Sequence, residues 1–361
     1  MLSSTSSSNQ RLPIVRWLRL WLVAAAVVCV TLGAVESFWR AHGHVPTVND
    51  DAALWMLARS AVRPNDPSEI VLLGASRMQQ GLDLDMFART FGSRKPVQLA
   101  VEAATLMPVL DDLSRDESFR GIAICDVMPF LFYRGGFEVD SPPGPDGRPQ
   151  LATTPADYIR RYRSMAGFHG AFSTPLLERR LRTLVQERLV LRQPGLIPTA
   201  SNVEKWITRR AWPTPSGRVL KADRSEKADY RSLDPEILET TKRWWIQRNG
   251  LLSGGAQPDE LARGLARVET MVRRIQARGG RVVFVSFPVS GVVASMEEGD
   301  VPRHKYWDAL AAQTTALTIH WQDYRELSSF ECLEGSHLDY RDAALFTQAL
   351  ARIVRERLSE T

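Results

Sequence analysis

Two residues far apart in the sequence are placed where an α/β chain could use them together. Ser76 lies in the stretch IVLLGASRMQQ (70–80), where apolar and β-branched residues run into Gly-Ala-Ser-Arg. Such a run reads as a central parallel strand whose C-terminal end opens onto a site. His337 lies in ECLEGSHLDYRD (331–342), just ahead of the closing helical stretch. A serine hydroxyl is a weak nucleophile until a base takes its proton. Imidazole does this well when a carboxylate fixes its orientation and stabilises its charged form. Glu334, three residues before His337, supplies that carboxylate. Alone, Ser76 could cap a helix and His337 could be a satisfied polar group at a loop-helix junction. In this order, at opposite ends of one domain, they point to a shared site. The chemistry expected of it is nucleophilic attack by an activated hydroxyl, with no cofactor. No metal-ligand spacing stands out, since the histidines are scattered, and the isolated Gly-Gly pairs form no phosphate-binding fingerprint.

The surrounding pattern supplies elements to position these groups. Residues 70–76 read as a strand, LDLDMFARTFG as a helix, KPVQLAV as a second strand, TLMPVLDDLSRD as a second helix and GIAICDV as a third strand. Between about 135 and 255 the alternation is lost. DSPPGPDGRPQ is a loop, and two helical stretches follow, so this part is expected to be a helical insertion bordering the site. The alternation resumes with a long amphipathic helix, the strand RVVFVSFPV, a helix, the strand ALTIHWQDY and a closing helix. The expectation is an α/β fold: a three-layer, flavodoxin-like parallel sheet of about five strands with right-handed crossovers. Ligands of such sheets bind beyond the C-terminal strand ends. That rule adds Arg77, Glu102, Thr105, Asp126 and Ser290 as residues of the rim. Trp244 and Trp245 could stack on sugar rings or simply pack. The arginines at 179, 180, 182, 188 and 192 read as a solvated helix face.

With 361 residues and 44% apolar composition the chain can bury a large core, which excludes global disorder. The formal net charge is +5, but Arg11, Arg16 and Arg19 sit at the N-terminus, leaving the rest near balance. That is not the clustered basic face of a nucleic-acid binder. Leu18 to Val35 carries one charge and approaches the length of a bilayer-spanning helix, with Trp17, Trp21, Phe38 and Trp39 for the interfaces. A retained anchor is favoured over a cleaved signal peptide, because Leu32 occupies a position where cleavage wants a small residue. The expected layout is a basic cytoplasmic tail (1–16), an anchor (17–37), a juxtamembrane helix and linker (38–66) and the main domain (67–361). The basic start places the N-terminus inside and the domain outside, at a bacterial inner membrane. Cys125 and Cys332 would then lie in an oxidising compartment, either as a disulfide or as two buried thiols.

LLGASR and EGSHLD resemble the first and last blocks of the SGNH/GDSL-like hydrolase superfamily. The resemblance extends over the βα order from about Pro67 to the C-terminus, excepting the insertion. The anchor followed by GASR is also similar to membrane-tethered SGNH-like proteins of bacterial envelope polysaccharide and acetylation systems. It implies Ser76 as nucleophile, His337 as base and Glu334 as the acid. It also implies oxyanion donors in block two, here the Ala104 N–H, beside the N–H of Ser76. The sequence departs from the family at Ala75 and Glu334, where the family has Asp. VEAAT lacks the block-two glycine, and CDVMP has Asp126 but no block-three asparagine. Two functions are expected from this pattern. One is a membrane-anchored, extracytoplasmic esterase or O-acyl(acetyl)transferase acting on an envelope polysaccharide or related ester. The other is a degenerate domain that binds glycan or scaffolds an envelope complex of other proteins.

Overall fold

The computed structural model describes residues 14–133, 154–165, 174–193, 196, 217–252 and 256–360. The chain divides into two compact units: Met1–Pro46 with Arg188–Pro215, and Thr47–Glu187 with Ser216–Thr361. In the first unit a single helix runs Ile14–Ala41. Its Arg16–Ala41 portion is the one helix among the described residues long and apolar enough to cross a membrane. The helix is longer at both ends than the expected 17–37 span. Near its end, Trp39 Nε1 donates to the Leu196 carbonyl at 3.0 Å.

The second unit is a mixed α/β body around a five-stranded, all-parallel sheet. Its strands are β1 (Ile70–Leu73), β2 (Val97–Gln98), β3 (Ile122–Asp126), β6 (Arg281–Ser286) and β7 (Leu317–His320). They lie in the order β2-β1-β3-β6-β7. Register places Leu73 beside Cys125 and Asp126 beside Val285, so the C-terminal ends of the three central strands finish at one level.

The three central strands are largely apolar on both faces, as a sheet covered on both sides requires. Val71, Leu73, Ala123, Cys125 and Phe284 join one core cluster with Trp55, Leu110 and Val268. Ile70, Leu72, Ile124, Val283 and Val285 join another with Phe87, Phe346 and Leu350. The two cysteines are divided the same way, Cys125 into the first cluster and Cys332 into the second. Both are free, buried thiols, so no disulfide joins them. Cys332 Sγ instead donates to the Pro288 carbonyl at 3.2 Å.

The region expected to be a helical insertion contains helices Thr154–Met165, Thr174–Gln186 and Pro235–Leu252. It also contains an antiparallel hairpin, β4 (Arg218–Leu220) and β5 (Glu226–Ala228), that was not anticipated. Three residues per strand are too few to show the alternation by which a strand is recognised in sequence. The segment DSPPGPDGRPQ lies outside the described residues.

Candidate active site

β1 ends at Leu73, and the chain turns through Gly74 and Ala75 into a short helix, Ser76–Gly81, that begins with the serine. Gly74 has φ +142°, and a Cβ there would stand 2.6 Å from the Asp126 Cβ. Only glycine lets β1 and β3 approach this closely where the turn begins. Ser76 is thereby fixed at the C-terminal edge of the sheet.

His337 arrives on the loop before helix Tyr340–Ser359. Gly335 turns this loop with φ +107°, and a side chain there would strike Val293 at 2.8 Å. Ser290 holds the loop from outside: its N–H donates to the Gly335 carbonyl at 2.9 Å, and its Oγ accepts from the Cys332 N–H at 3.0 Å. Buried Arg77 holds it from another side, donating from Nε to Ser336 Oγ at 3.2 Å while pairing with Glu297 at 2.7 Å.

The three side chains form a continuous hydrogen-bonded line. Ser76 Oγ lies 2.8 Å from His337 Nε2, and His337 Nδ1 lies 2.8 Å from Glu334 Oε1. An ionised carboxylate only accepts, so Nδ1 carries the proton and Nε2 is free to accept from the serine hydroxyl. Glu334 is almost wholly buried. Its Oε1 also accepts from the backbone N–H groups of Ser336 (2.9 Å) and His337 (2.5 Å), and its Oε2 from the Trp245 indole at 2.6 Å. Burial alone would raise its pKa. The His337 imidazole and the hydrogen bonds from His337, Trp245 and Ser336 outweigh that effect and hold it at about 2. The His337 ring lies between aromatic neighbours, Tyr230 at 6.4 Å and Trp245 at 6.3 Å between centroids.

This arrangement opens into a cleft of about 600 Å³ lined by Ser76, His337 and Glu334 together with Glu102, Ala103, Met128, Leu131 and some of the insertion's side chains between Arg218 and Trp245. Among the residues expected at the rim, Glu102 lines it and is paired with Arg218 at 2.9 Å. The others serve elsewhere. Arg77 and Ser290 brace the loop, and Thr105 is buried at the start of helix Met107–Arg115, where its Oγ1 accepts from the Met107 N–H.

Asp126 is fully buried beneath Gly74, and neither carboxyl oxygen completes a hydrogen bond among the described residues; the Ala75 N–H approaches it outside hydrogen-bond geometry. Burial raises its pKa to about 7 despite the opposing charge of Arg77. Ala104, expected to offer an oxyanion donor, spends its N–H on the Val101 carbonyl at 3.2 Å and buries its side chain in the core. Its neighbour Ala103 lines the cleft with φ 55°, and its N–H has no partner among the described residues. That backbone conformation is one glycine adopts without strain.

Sequence reasoning missed Trp245 as the partner of Glu334, and missed Gln80, Arg218 and Tyr230 in the wall. The Trp-Trp pair was the available signal. A helix turns successive residues by about 100°, so only one of two adjacent tryptophans can face the loop. Trp245 is buried and Trp244 is 43% exposed. Among the described residues no group of three or more His, Cys, Asp or Glu could hold a metal ion. No protein-family model matches this chain, and no curated protein matches it either.

Proposed function

We propose that this chain is a membrane-anchored serine esterase or O-acyltransferase of the SGNH type, acting outside the cytoplasm on an acylated (for example acetylated) cell-envelope polysaccharide or a related ester. The observation that carries the reading is the unbroken line from Ser76 through His337 to Glu334 at the mouth of a cleft. His337 Nε2 takes the hydroxyl proton as Ser76 Oγ bonds to the acyl carbon, and Glu334 stabilises the imidazolium that forms. As the tetrahedral intermediate collapses, the alcohol leaves with that proton and the acyl group remains on Ser76. Water or a second hydroxyl then accepts the acyl group by the reverse proton path. The oxyanion would be held by the N–H groups of Ser76 and Ala103, the latter replacing Ala104 in that role.

The strand order, with helices contributing to cores on both faces, fits a flavodoxin-like three-layer arrangement and an SGNH-type catalytic domain. The N-terminal helix, with basic residues ahead of it, supports a single-pass inner-membrane anchor with a cytoplasmic N-terminus. A serine-reactive fluorophosphonate should label the full-length protein, and Ser76→Ala should abolish labelling and lower ester turnover by roughly 10³-fold or more with the melting transition retained. Unchanged turnover in that variant would reject the assignment.

Two observations favour a second reading, a catalytically degenerate domain that binds glycan or scaffolds an envelope complex. Ala104 spends its N–H internally, and Asp126 stands buried where the family carries asparagine. A protein that resists the fluorophosphonate while binding envelope glycan would support it.

A further inference from the structure

The walls of the cleft say more about the acyl group than about the alcohol. Its apolar surface comes from Met128 and Leu131 beyond β3 and from Leu233, Ile237, Trp244 and Trp245 in the insertion. The polar side chains that reach it are already engaged with one another. Arg218 pairs with both Glu102 and Glu226, and Gln80 donates to Glu226 while accepting from the Tyr230 hydroxyl at 2.8 Å. The two threonines of the insertion helix each hold one hydrogen bond already. Thr241 donates to the Ile237 carbonyl, and Thr240 Oγ1 accepts from Arg243. A sugar ring needs donors and acceptors for several hydroxyls, and those that meet these walls unmatched cost affinity. An alkyl chain needs none.

We propose that the cleft is an acyl-chain pocket, and that the preferred ester carries a linear acyl group of about six to ten carbons, with the alcohol portion outside. This rests on the esterase reading above. An acetyl group would leave nearly all of the ≈ 600 Å³ unused. Each further methylene that leaves water for these walls is worth about fourfold in binding. The four methylenes that separate acetate from hexanoate should therefore raise kcat/KM on the order of 10²-fold.

The test uses the full-length protein in lipid nanodiscs with p-nitrophenyl acetate, butyrate, hexanoate and octanoate. A steep rise of kcat/KM with chain length is expected, together with a marked fall of the hexanoate-to-acetate ratio in Ile237→Asp. Ile237 is 38% exposed, so this change is made at the pocket wall and not in the core. A flat or falling series, with the acetate turned over, would overturn the pocket and leave the esterase reading intact. If no ester is turned over and the fluorophosphonate fails, the esterase reading is lost, and calorimetry with unreactive amides still decides the pocket. Saturable binding of N-methyloctanamide, weakened by Ile237→Asp and absent for N-methylacetamide, sustains it. Equal or no binding of the two amides refutes it.

Discussion

Replacing Asp126 by asparagine tests the electrostatics beneath Ser76. Desolvation raises this carboxyl from 3.8 to about 7, while Arg77, the approaching Ala75 N–H and His337 act in the opposite direction and Glu297 adds to the rise. A raised carboxyl pKa means that the folded protein holds a proton which the unfolded chain gives up. Between pH 3.8 and about 7 the folded state therefore binds more protons than the unfolded state, and this residue's contribution to stability falls as pH rises. At 1.36 kcal/mol per pH unit, the interval corresponds to roughly 4 kcal/mol. Asparagine has nearly the same shape and does not titrate, so any cost of burying its amide is a constant offset. The stability of Asp126→Asn relative to the unaltered protein should climb by roughly 4 kcal/mol between pH 4 and pH 7, then level off. Chemical unfolding of both proteins in the same detergent, at half-unit pH intervals from 4 to 8.5, reads this difference. Groups that titrate equally in both proteins cancel. A difference that stays constant across the range would show that the buried carboxyl is not protonated in the folded protein, and would refute the reasoning.

Two further substitutions probe the supports of the site. Trp245→Phe removes the indole donor to Glu334 while keeping an aromatic ring, and should cost roughly 1.5–3 kcal/mol at pH 7, the worth of a hydrogen bond to a charged group. The pKa of Glu334 is depressed, so the stability it confers is present above the unfolded value near 4.5 and is lost as pH falls toward 2. The variant's deficit should shrink over that interval, and an unfolding series that shows a pH-independent deficit would contradict the role given to the indole. Gly74→Ala drives a Cβ to 2.6 Å from Asp126 in a backbone conformation alanine resists. It should destabilise by roughly 2–4 kcal/mol and lower turnover, both checked by thermal melting beside an activity assay.

The sheet was legible because its central strands are buried on both faces and therefore read as unbroken apolar runs. IVLL and RVVFVS stand out for that reason, and so does the serine at the end of the first. β2 is only two residues long, and it is recognisable chiefly by its place between two amphipathic helices. The line of Ser76, His337 and Glu334 could be anticipated from residue types and order. The hydrogen-bonding duties of Arg77 and Ser290, and the burial of Asp126 without a hydrogen-bond partner among the described residues, could not, because sequence gives no direction for a side chain at or just past a strand end. The β4-β5 hairpin escaped detection because its register is held by an Arg218–Glu226 pair and by three-residue strands, not by an apolar stripe. Cys125 and Cys332 invited pairing by compartment and by their places at strand or loop ends near the site, and strand alternation sends the first to a different core from the second.

The choice of glutamate at 334 follows from the way the loop is closed. Glu334 is three residues before His337, and its carboxylate must reach both the imidazole and the backbone that carries it. Glu334 Oε1 accepts from the Ser336 N–H, the His337 N–H and His337 Nδ1 together, so one oxygen fixes the main chain and the ring of the same residue. The longer side chain folds back to make these contacts, and Gly335 gives the backbone the positive φ that the reversal needs. The second oxygen is left for a donor outside the loop, which the insertion supplies through Trp245. Movement of helix Pro235–Leu252 would therefore alter the wall of the cleft and the hydrogen bonding of the acid together. Shape and charge at this site are coupled through one indole, so anything bound in the cleft that displaces the helix also changes how firmly Glu334 holds His337.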